Sequence, residues 1–320
     1  MTELTYATPY PPSHPFSRAD QRWMDFIAQR SAGRLLIRPV WSGALLSADM
    51  SLEELRHGVA DIGLITPIYV RGGTHLIRVQ SGFYSGADSI ASQVAVYRCI
   101  ESSIPEVRHE LLGLKVLAVQ GGLLPGILTR NRKIERLSDL KGLRVRAPTE
   151  LLPVLQSLGA DPVNMPMGEV YSALAKGVID GVVAPPDTLR ALHFVEVGKY
   201  YYELRVPRGA YPARAMSMKR WHSLASWQRD VLEEGIAVWQ ASLADEIQKS
   251  EAAGRAEGQG HITFSFPTAA DQERFDALYL RDAEGNARSL ERFGIDGLSA
   301  FRVARESLVE RDVVRCGGGK

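Results

Sequence analysis

One segment of this chain is written twice. Gly58-Val59-Ala60-Asp61-Ile62-Gly63-Leu64-Ile65-Thr66-Pro67 returns in outline as Gly177-Val178-Ile179-Asp180-Gly181-Val182-Val183-Ala184-Pro185. Each copy follows a short helical run. In each, a glycine ends the helix, an aspartate begins an apolar strand, and a proline stops that strand where it reaches the carboxyl edge of a sheet. Two lobes of one plan account for the repetition; a chance likeness between two common helix-glycine-strand junctions is the alternative. The length of 320 residues favours two lobes, because single cores stop growing beyond about 250–300 residues.

The order of elements gives an α/β chain. Leu4 to Thr8 reads as a strand, Ser17 as the cap of a helix to Arg30, and Arg34 to Trp41 as a second strand. Ser51-Leu52-Glu53-Glu54 is a capping-box pattern opening a helix to His57, and Asp61 to Ile65 is a third strand. Strand and helix alternating in this way build a largely parallel sheet. Leu114 to Val119 is an apolar strand leading into Gln120-Gly121-Gly122, where glycine torsions let the chain cross between lobes at a flexible point. Gly126 to Thr129 continues beyond it, and Ala215 to Met218 is a return strand. Ser226 to Gly258 carries Trp227, Val231, Trp239, Leu243 and Ile247 near four-residue spacing, a helix roughly 45 Å long at 1.5 Å per residue and able to brace both lobes. Ala269 to Phe293 and Leu298 to Glu310 are further helical patterns. We therefore expect two mixed, mostly parallel sheets joined by a hinge. Residues 1–121 with about 213–250 make lobe I, 122–212 with about 251–310 make lobe II, and 311–320 form a flexible tail.

The 38 basic and 37 acidic residues balance, which leaves no field to attract nucleic acid. No run approaches the roughly 18 apolar residues of a spanning helix, and Met1 to Arg18 lacks a basic segment followed by an apolar one. The protein is then either cytoplasmic or exported with its signal removed. Cys99 and Cys316 are too few for a disulfide framework and too isolated for a zinc site; Cys99 reads as a small buried thiol in the helical run Ile90 to Ile100, and Cys316 as part of a loose tail. Chemistry-bearing motifs are missing. There is no G-x-S-x-G, H-E-x-x-H, C-x-x-C or EF-hand loop, and Gly121 to Gly126 has the P-loop spacing without its Lys and hydroxyl. The seven histidines are scattered with no pair at ligand spacing, so we expect no catalytic residues, no metal and no cofactor, with a triad assembled only in space as the open alternative.

Leu137 to Pro148 reads L-S-D-L-K-G-L-R-V-R-A-P. Leu143, Val145 and Ala147 alternate with Arg144 and Arg146, the period of a short strand with one apolar face, and Pro148 ends it. Ligands of open α/β sheets bind beyond the carboxyl ends of strands, where a guanidinium can grip a carboxylate with two parallel hydrogen bonds. A surface arginine paired with a nearby acid is the plainer reading of Arg146.

Tyr6 to Gly43 with its Pro-rich loop, Leu140-Lys141-Gly142-Leu143-Arg144-Val145-Arg146-Ala147-Pro148, and Leu158 to Leu174 match one family in order and spacing. Over essentially its whole length the chain resembles the substrate-binding proteins of tripartite ATP-independent periplasmic (TRAP) transporters, the DctP family. The resemblance implies a periplasmic-binding-protein fold whose cleft closes on one small organic acid, a periplasmic location with the signal peptide absent from this sequence, and delivery to membrane permease subunits by a monomeric receptor. Arg146 falls at the family's carboxylate-binding arginine. Met167 stands where a phenylalanine usually lies against the ligand, and Tyr10 and Thr66 fall near contact positions in the first lobe. Where the family reads Gln-Glu-Asn-Pro with a ligand-reaching asparagine, this chain has Val182-Val183-Ala184-Pro185. The second arginine of sialic-acid-binding members is Gly126 here. The usual Pro-Phe is replaced by Gly82-Phe83-Tyr84, whose rings either reach the ligand or fill the lobe core. With these polar groups lost, the expected ligand is a monocarboxylate with an apolar or aromatic body, unless Arg214 or a loop residue restores polarity. A ligand-presenting sensor subunit and an enzyme on the same fold are the competing functions.

Overall fold

The structure is a computed structural model describing residues 1–70 and 72–317. The chain groups into two compact units: Met1–Thr74, Arg108–Gln120 and Tyr211–Lys249 form the first, and His75–Val107, Gly121–Ala210 and Ser250–Lys320 the second. Residues 75–107 therefore belong with the second unit, not with lobe I as the sequence boundaries had it. The reason is packing, because the helices His75–Gln80 and Ile90–Ser103 lie against the C-terminal helix Gly297–Ser307. The expected long helix runs Ser226–Gly258, and the division between the units falls within it.

In the first unit, strands β1 (Thr2–Ala7), β2 (Leu35–Val40), β3 (Ile62–Leu64), β4 (Leu114–Gln120) and β10 (Tyr211–Ser217) form a sheet of order β2-β1-β3-β10-β4. The second unit holds β5 (Gly126–Thr129), β6 (Arg144–Arg146), β7 (Asp161–Val163), β8 (Gly181–Ala184), β9 (Tyr200–Tyr202) and β11 (Thr263–Ser265) in the order β11-β9-β5-β8-β6-β7. Both sheets are mixed. β3 pairs parallel with β1 and antiparallel with β10; β8 pairs parallel with β6 and antiparallel with β5. Written from the outer parallel strand inward, β2-β1-β3-β10-β4 and β7-β6-β8-β5-β9 are one plan.

The repeated aspartates show why the sequence echoes. Asp61 N–H donates to the Thr5 carbonyl at 3.1 Å while its carboxylate receives the Thr5 N–H at 2.8 Å. Asp180 does the same to Arg144, with both bonds at 2.8 Å. In each unit an aspartate thus closes the start of a central strand onto its parallel neighbour. The preceding glycines, Gly58 and Gly177, have φ of +80° and +71°, a left-handed turn that strains any residue with a Cβ.

Alternation along the second sheet separates two cores. Ile127, Val145, Val183 and Tyr202 join one buried cluster, and Leu128, Val182, Ala184 and Tyr201 the other, as a pleat with period two requires. Arg146, one residue past Val145, therefore belongs to the face of Val182 and Ala184.

Some local signals resolve differently. His14, not Ser17, caps the helix Pro15–Arg30, its Nδ1 accepting the Phe16 N–H at 3.2 Å. The helix Ser51–Arg56 lacks a capping box, because Glu54 is occupied by the N–H and hydroxyl of Ser47 at 2.8 and 3.0 Å. The last helix stops at Ser307, after which β12 (Leu308–Glu310) pairs with β13 (Val313–Val314).

This hairpin corrects the expected tail. Cys316 forms a disulfide with Cys99, Cα to Cα 5.1 Å, so neither cysteine is a free thiol. Asp312 accepts the N–H groups of Asp88 and Ser89, both at 2.8 Å. Residues 311–317 are thereby tied to the helix Ile90–Ser103, and Gly318, Gly319 and Lys320 lie outside the described residues. Among the described residues no helix is long and apolar enough to cross a membrane.

Candidate binding site

Arg146 is the last residue of β6, opposite Val163 of β7 and Val182 of β8. Only 2% of it is exposed. Its Nε donates to the Met165 carbonyl at 2.9 Å, which fixes the plane of the guanidinium. The backbone beyond the strand is fixed too: Ala147 N–H donates to the Val163 carbonyl at 2.9 Å, and the Asn164 side chain donates to the Ala147 carbonyl at 3.0 Å. Met165 and Met167, the latter opening the helix Met167–Lys176, pack partly buried on the Val182–Ala184 cluster. The structure thus brings Arg146 and Met167 to the same sheet face.

Gly126, Ala184 and Pro185 serve the sheet edge. The Tyr201 hydroxyl accepts the Gly126 N–H and donates to the Ala184 carbonyl, both at 2.8 Å. A Cβ on Gly126 would stand 2.4 Å from the Tyr202 carbonyl oxygen and 2.7 Å from the Tyr201 ring, so no side chain fits there. The Pro185 carbonyl accepts from Thr188. Phe83 and Tyr84 are fully buried; Phe83 meets Phe301 edge-on at 5.2 Å, and the Tyr84 hydroxyl donates to Gln80. Both rings are core of the second unit, which decides between the two readings and removes them from the candidate contacts.

In the first unit, Tyr10 stacks on His14 with ring centroids 4.1 Å apart and meets Phe16 edge-on at 5.4 Å. Burial pushes the His14 pKa down to about 3, helped by Arg18 and Arg214, so the ring is neutral at ordinary pH. Because Nδ1 accepts the helix N–H, the ring proton sits on Nε2. Thr66 is buried, its hydroxyl donating to the Ala48 carbonyl and its N–H to Ser51. Arg214 does not enrich a ligand site, because it is sealed within the first unit by Asp20 and Gln120.

Three ionisable groups, one of them in the field of Arg146, escaped the sequence reading. Glu150 follows on the turn Thr149–Leu151; burial pushes its carboxyl up, against the Ser81 hydroxyl and the guanidiniums of Arg146 and Arg208. Asp187, 6% exposed, is pushed up to about 6 by burial, opposed by Arg208. Arg208 lies in the loop between β9 and β10, flat against Gly122, where a Cβ would come within 2.5 Å of its guanidinium carbon. Gly122 is also pinned, its N–H donating to Gln93 at 2.8 Å and its carbonyl accepting from Gln93 at 3.1 Å. Gly121 and Gly122, read as flexible points, are glycines because of close approach; neither has a positive φ. Among the described residues no group of three or more His, Cys, Asp or Glu is placed to hold a metal.

Two units on one mixed-sheet plan, with a buried guanidinium closing a strand, define a two-lobed solute-binding protein. The chain belongs to the bacterial extracellular solute-binding protein family 7, DctP, which it matches over residues 6–279. A TRAP solute-binding protein of Rhodoferax ferrireducens T118, in complex with copurified benzoate, shares the fold with TM-score 0.85 at 23% identity, over 96% of this chain and 97% of that one. Another, from Bordetella bronchiseptica with bound (R)- and (S)-mandelate, has TM-score 0.82 at 21% identity, over 96% and 100%. A third, from a Sulfitobacter species with bound β-D-galacturonate, has TM-score 0.78 at 18% identity, over 94% and 99%. The match to a curated relative from Haemophilus influenzae is 26% identical over 195 residues, 60% of this chain and 58% of that protein.

Proposed function

We propose that this protein is a monomeric periplasmic receptor that captures a monocarboxylate with an apolar or aromatic body and hands it to the membrane permease subunits of a TRAP transporter. The observation that carries this reading is Arg146: a nearly buried guanidinium at the carboxyl end of a strand, oriented by the Met165 carbonyl. A guanidinium held in a fixed plane favours a two-pronged bond to a carboxylate. Met165 and Met167 beside it supply a soft, apolar surface. Gly126, with no room for a side chain, argues against a sugar acid held by a second arginine there. The structural neighbours with benzoate and mandelate favour the aromatic acid, whereas the galacturonate-bound one makes the contrast worth testing. The Cys99–Cys316 disulfide suits an oxidising compartment. Capture and release require no catalysis, cofactor, metal or nucleic acid.

A thermal-shift screen with benzoate, mandelate, succinate, pyruvate and galacturonate tests the reading, since a saturating ligand raises the unfolding temperature by mass action. Stabilisation by the aromatic acids is expected. A response to galacturonate alone would contradict it.

A further inference from the structure

Arg208 is half-buried on Gly122, and among the described residues its side chain makes no hydrogen bond or ion pair within 4.0 Å. Two acids lie in its field, Glu150 and Asp187, and Arg146 also acts on Glu150. Glu150 Oε2 and Asp187 Oδ1 are both shielded from solvent and have no hydrogen-bond partner. These groups therefore hold unused donors on a guanidinium and unused acceptors on one half-buried and one buried carboxyl group, and Glu150 also lies in the field of the arginine assigned to the ligand carboxylate. Such groups are rarely left unmatched in a folded protein.

Each of the three groups packs closely against a glycine. Glu150 packs against Gly82, where an added Cβ would meet its Cβ at 3.3 Å. Asp187 is held by the long helix, because Gly254 approaches so closely that a Cβ there would stand 2.8 Å from the Asp187 Cα. Gly122 gives Arg208 its seat.

We propose that Arg208, Glu150 and Asp187 form a hydroxyl-recognition subsite, so that the acid held by Arg146 is a hydroxy acid. A hydroxyl oxygen accepts from the guanidinium while its proton is donated to a carboxyl oxygen. A methyl, halogen or keto group satisfies one half at most. The inference rests on Arg146 binding the carboxylate and adds the second polar group of the ligand; it also identifies Arg208 as the loop residue that restores polarity.

The test is calorimetry with matched pairs: benzoate against 2-, 3- and 4-hydroxybenzoate, and phenylacetate against each mandelate enantiomer. A hydrogen bond to charged partners predicts a preference of roughly 10–100-fold for at least one hydroxylated member. In Arg208→Met and, independently, in Asp187→Asn and Glu150→Leu, that ratio should shrink, to about twofold or less in Arg208→Met. Equal binding within every pair by the wild type would overturn the subsite while leaving the Arg146 reading intact. An unchanged ratio in a folded Arg208→Met protein would also overturn it. Failure of every acid to bind would overturn both readings together.

Discussion

Asp20 and Arg214 meet as a two-pronged ion pair inside the first unit, Nε to Oδ1 at 2.8 Å and Nη2 to Oδ2 at 3.1 Å, with 0% and 1% of their side chains exposed. The pair is fully engaged. Trp239 N–H donates to Asp20 Oδ1 at 2.8 Å, the Tyr6 hydroxyl donates to Oδ2, and Arg214 Nη1 donates to Gln120 Oε1 at 2.8 Å. Gln120 in turn donates to the Tyr211 hydroxyl at 3.0 Å. The network therefore binds the first helix, the long helix and both strand ends at which the chain leaves and re-enters this unit. Removing one partner strands a buried charge, and Asp20→Ala should cost about 3–5 kcal/mol. Asp20→Leu with Arg214→Met, which removes both charges, should cost less than the sum of the single changes in urea unfolding. Simple additivity would show that the charges are not coupled.

The disulfide makes a separate expectation about the second unit. Cys99 and Cys316 are 217 residues apart, and closing so long a loop restricts the unfolded chain by roughly 2–4 kcal/mol in most proteins. Cys316→Ser, or reductant added to the wild type, should lower the guanidinium midpoint and loosen the β12–β13 hairpin. Hydrogen exchange at Leu308 to Val314 reads that loosening directly. A midpoint indifferent to reductant would mean that Asp312 and the hairpin hold the terminus unaided.

The pH response separates into two opposite parts. His14 has its folded pKa depressed to about 3 from an ordinary 6.5; as pH falls through 6.5 the unfolded chain takes up a proton that the folded one refuses. Stability from His14 is thus present above about 6.5 and lost towards about 3, at about 1.4 kcal/mol per unit. Asp187 runs the other way. Its folded pKa is raised to about 6 from 3.8, so its contribution is intact below about 3.8 and lost as pH rises through 6. Asp187→Asn should match the wild type near pH 4 and exceed it by up to about 3 kcal/mol at pH 7. His14→Asn, which keeps a capping side chain, should lose less stability than the wild type between pH 6.5 and 3. Parallel pH profiles for variant and wild type would contradict either assignment.

The parts of the fold that were legible in the sequence are those set by local rules. The Gly58/Gly177 and Asp61/Asp180 echo was readable because a left-handed turn demands glycine and a strand start rewards an aspartate. The long helix was readable from the spacing of Trp227 to Ile247. Long-range partners left no such mark. Nothing local to Cys316 says that the chain folds back to Cys99, and nothing beside Phe83 says that Phe301 of the helix Gly297–Ser307 will meet it. Gly122 did carry a signal, but a glycine required by the approach of Arg208 looks the same in sequence as one required by torsion. Arg214 and Arg208 illustrate the limit: both are arginines near the chain's return to the first unit, and only tertiary packing consumes one and leaves the other without a hydrogen-bond or ion-pair partner among the described residues.

The central claim is that Arg146 holds the carboxylate of an organic acid. Calorimetric titration of mandelate into wild type, Arg146→Ala and Arg146→Lys tests it, with circular dichroism to verify that each protein is folded. We expect binding by the wild type, loss of at least roughly 100-fold in the alanine variant, and a large loss in the lysine variant because an ammonium cannot reproduce the planar two-pronged geometry. A folded Arg146→Ala protein that binds mandelate with wild-type affinity would contradict the account.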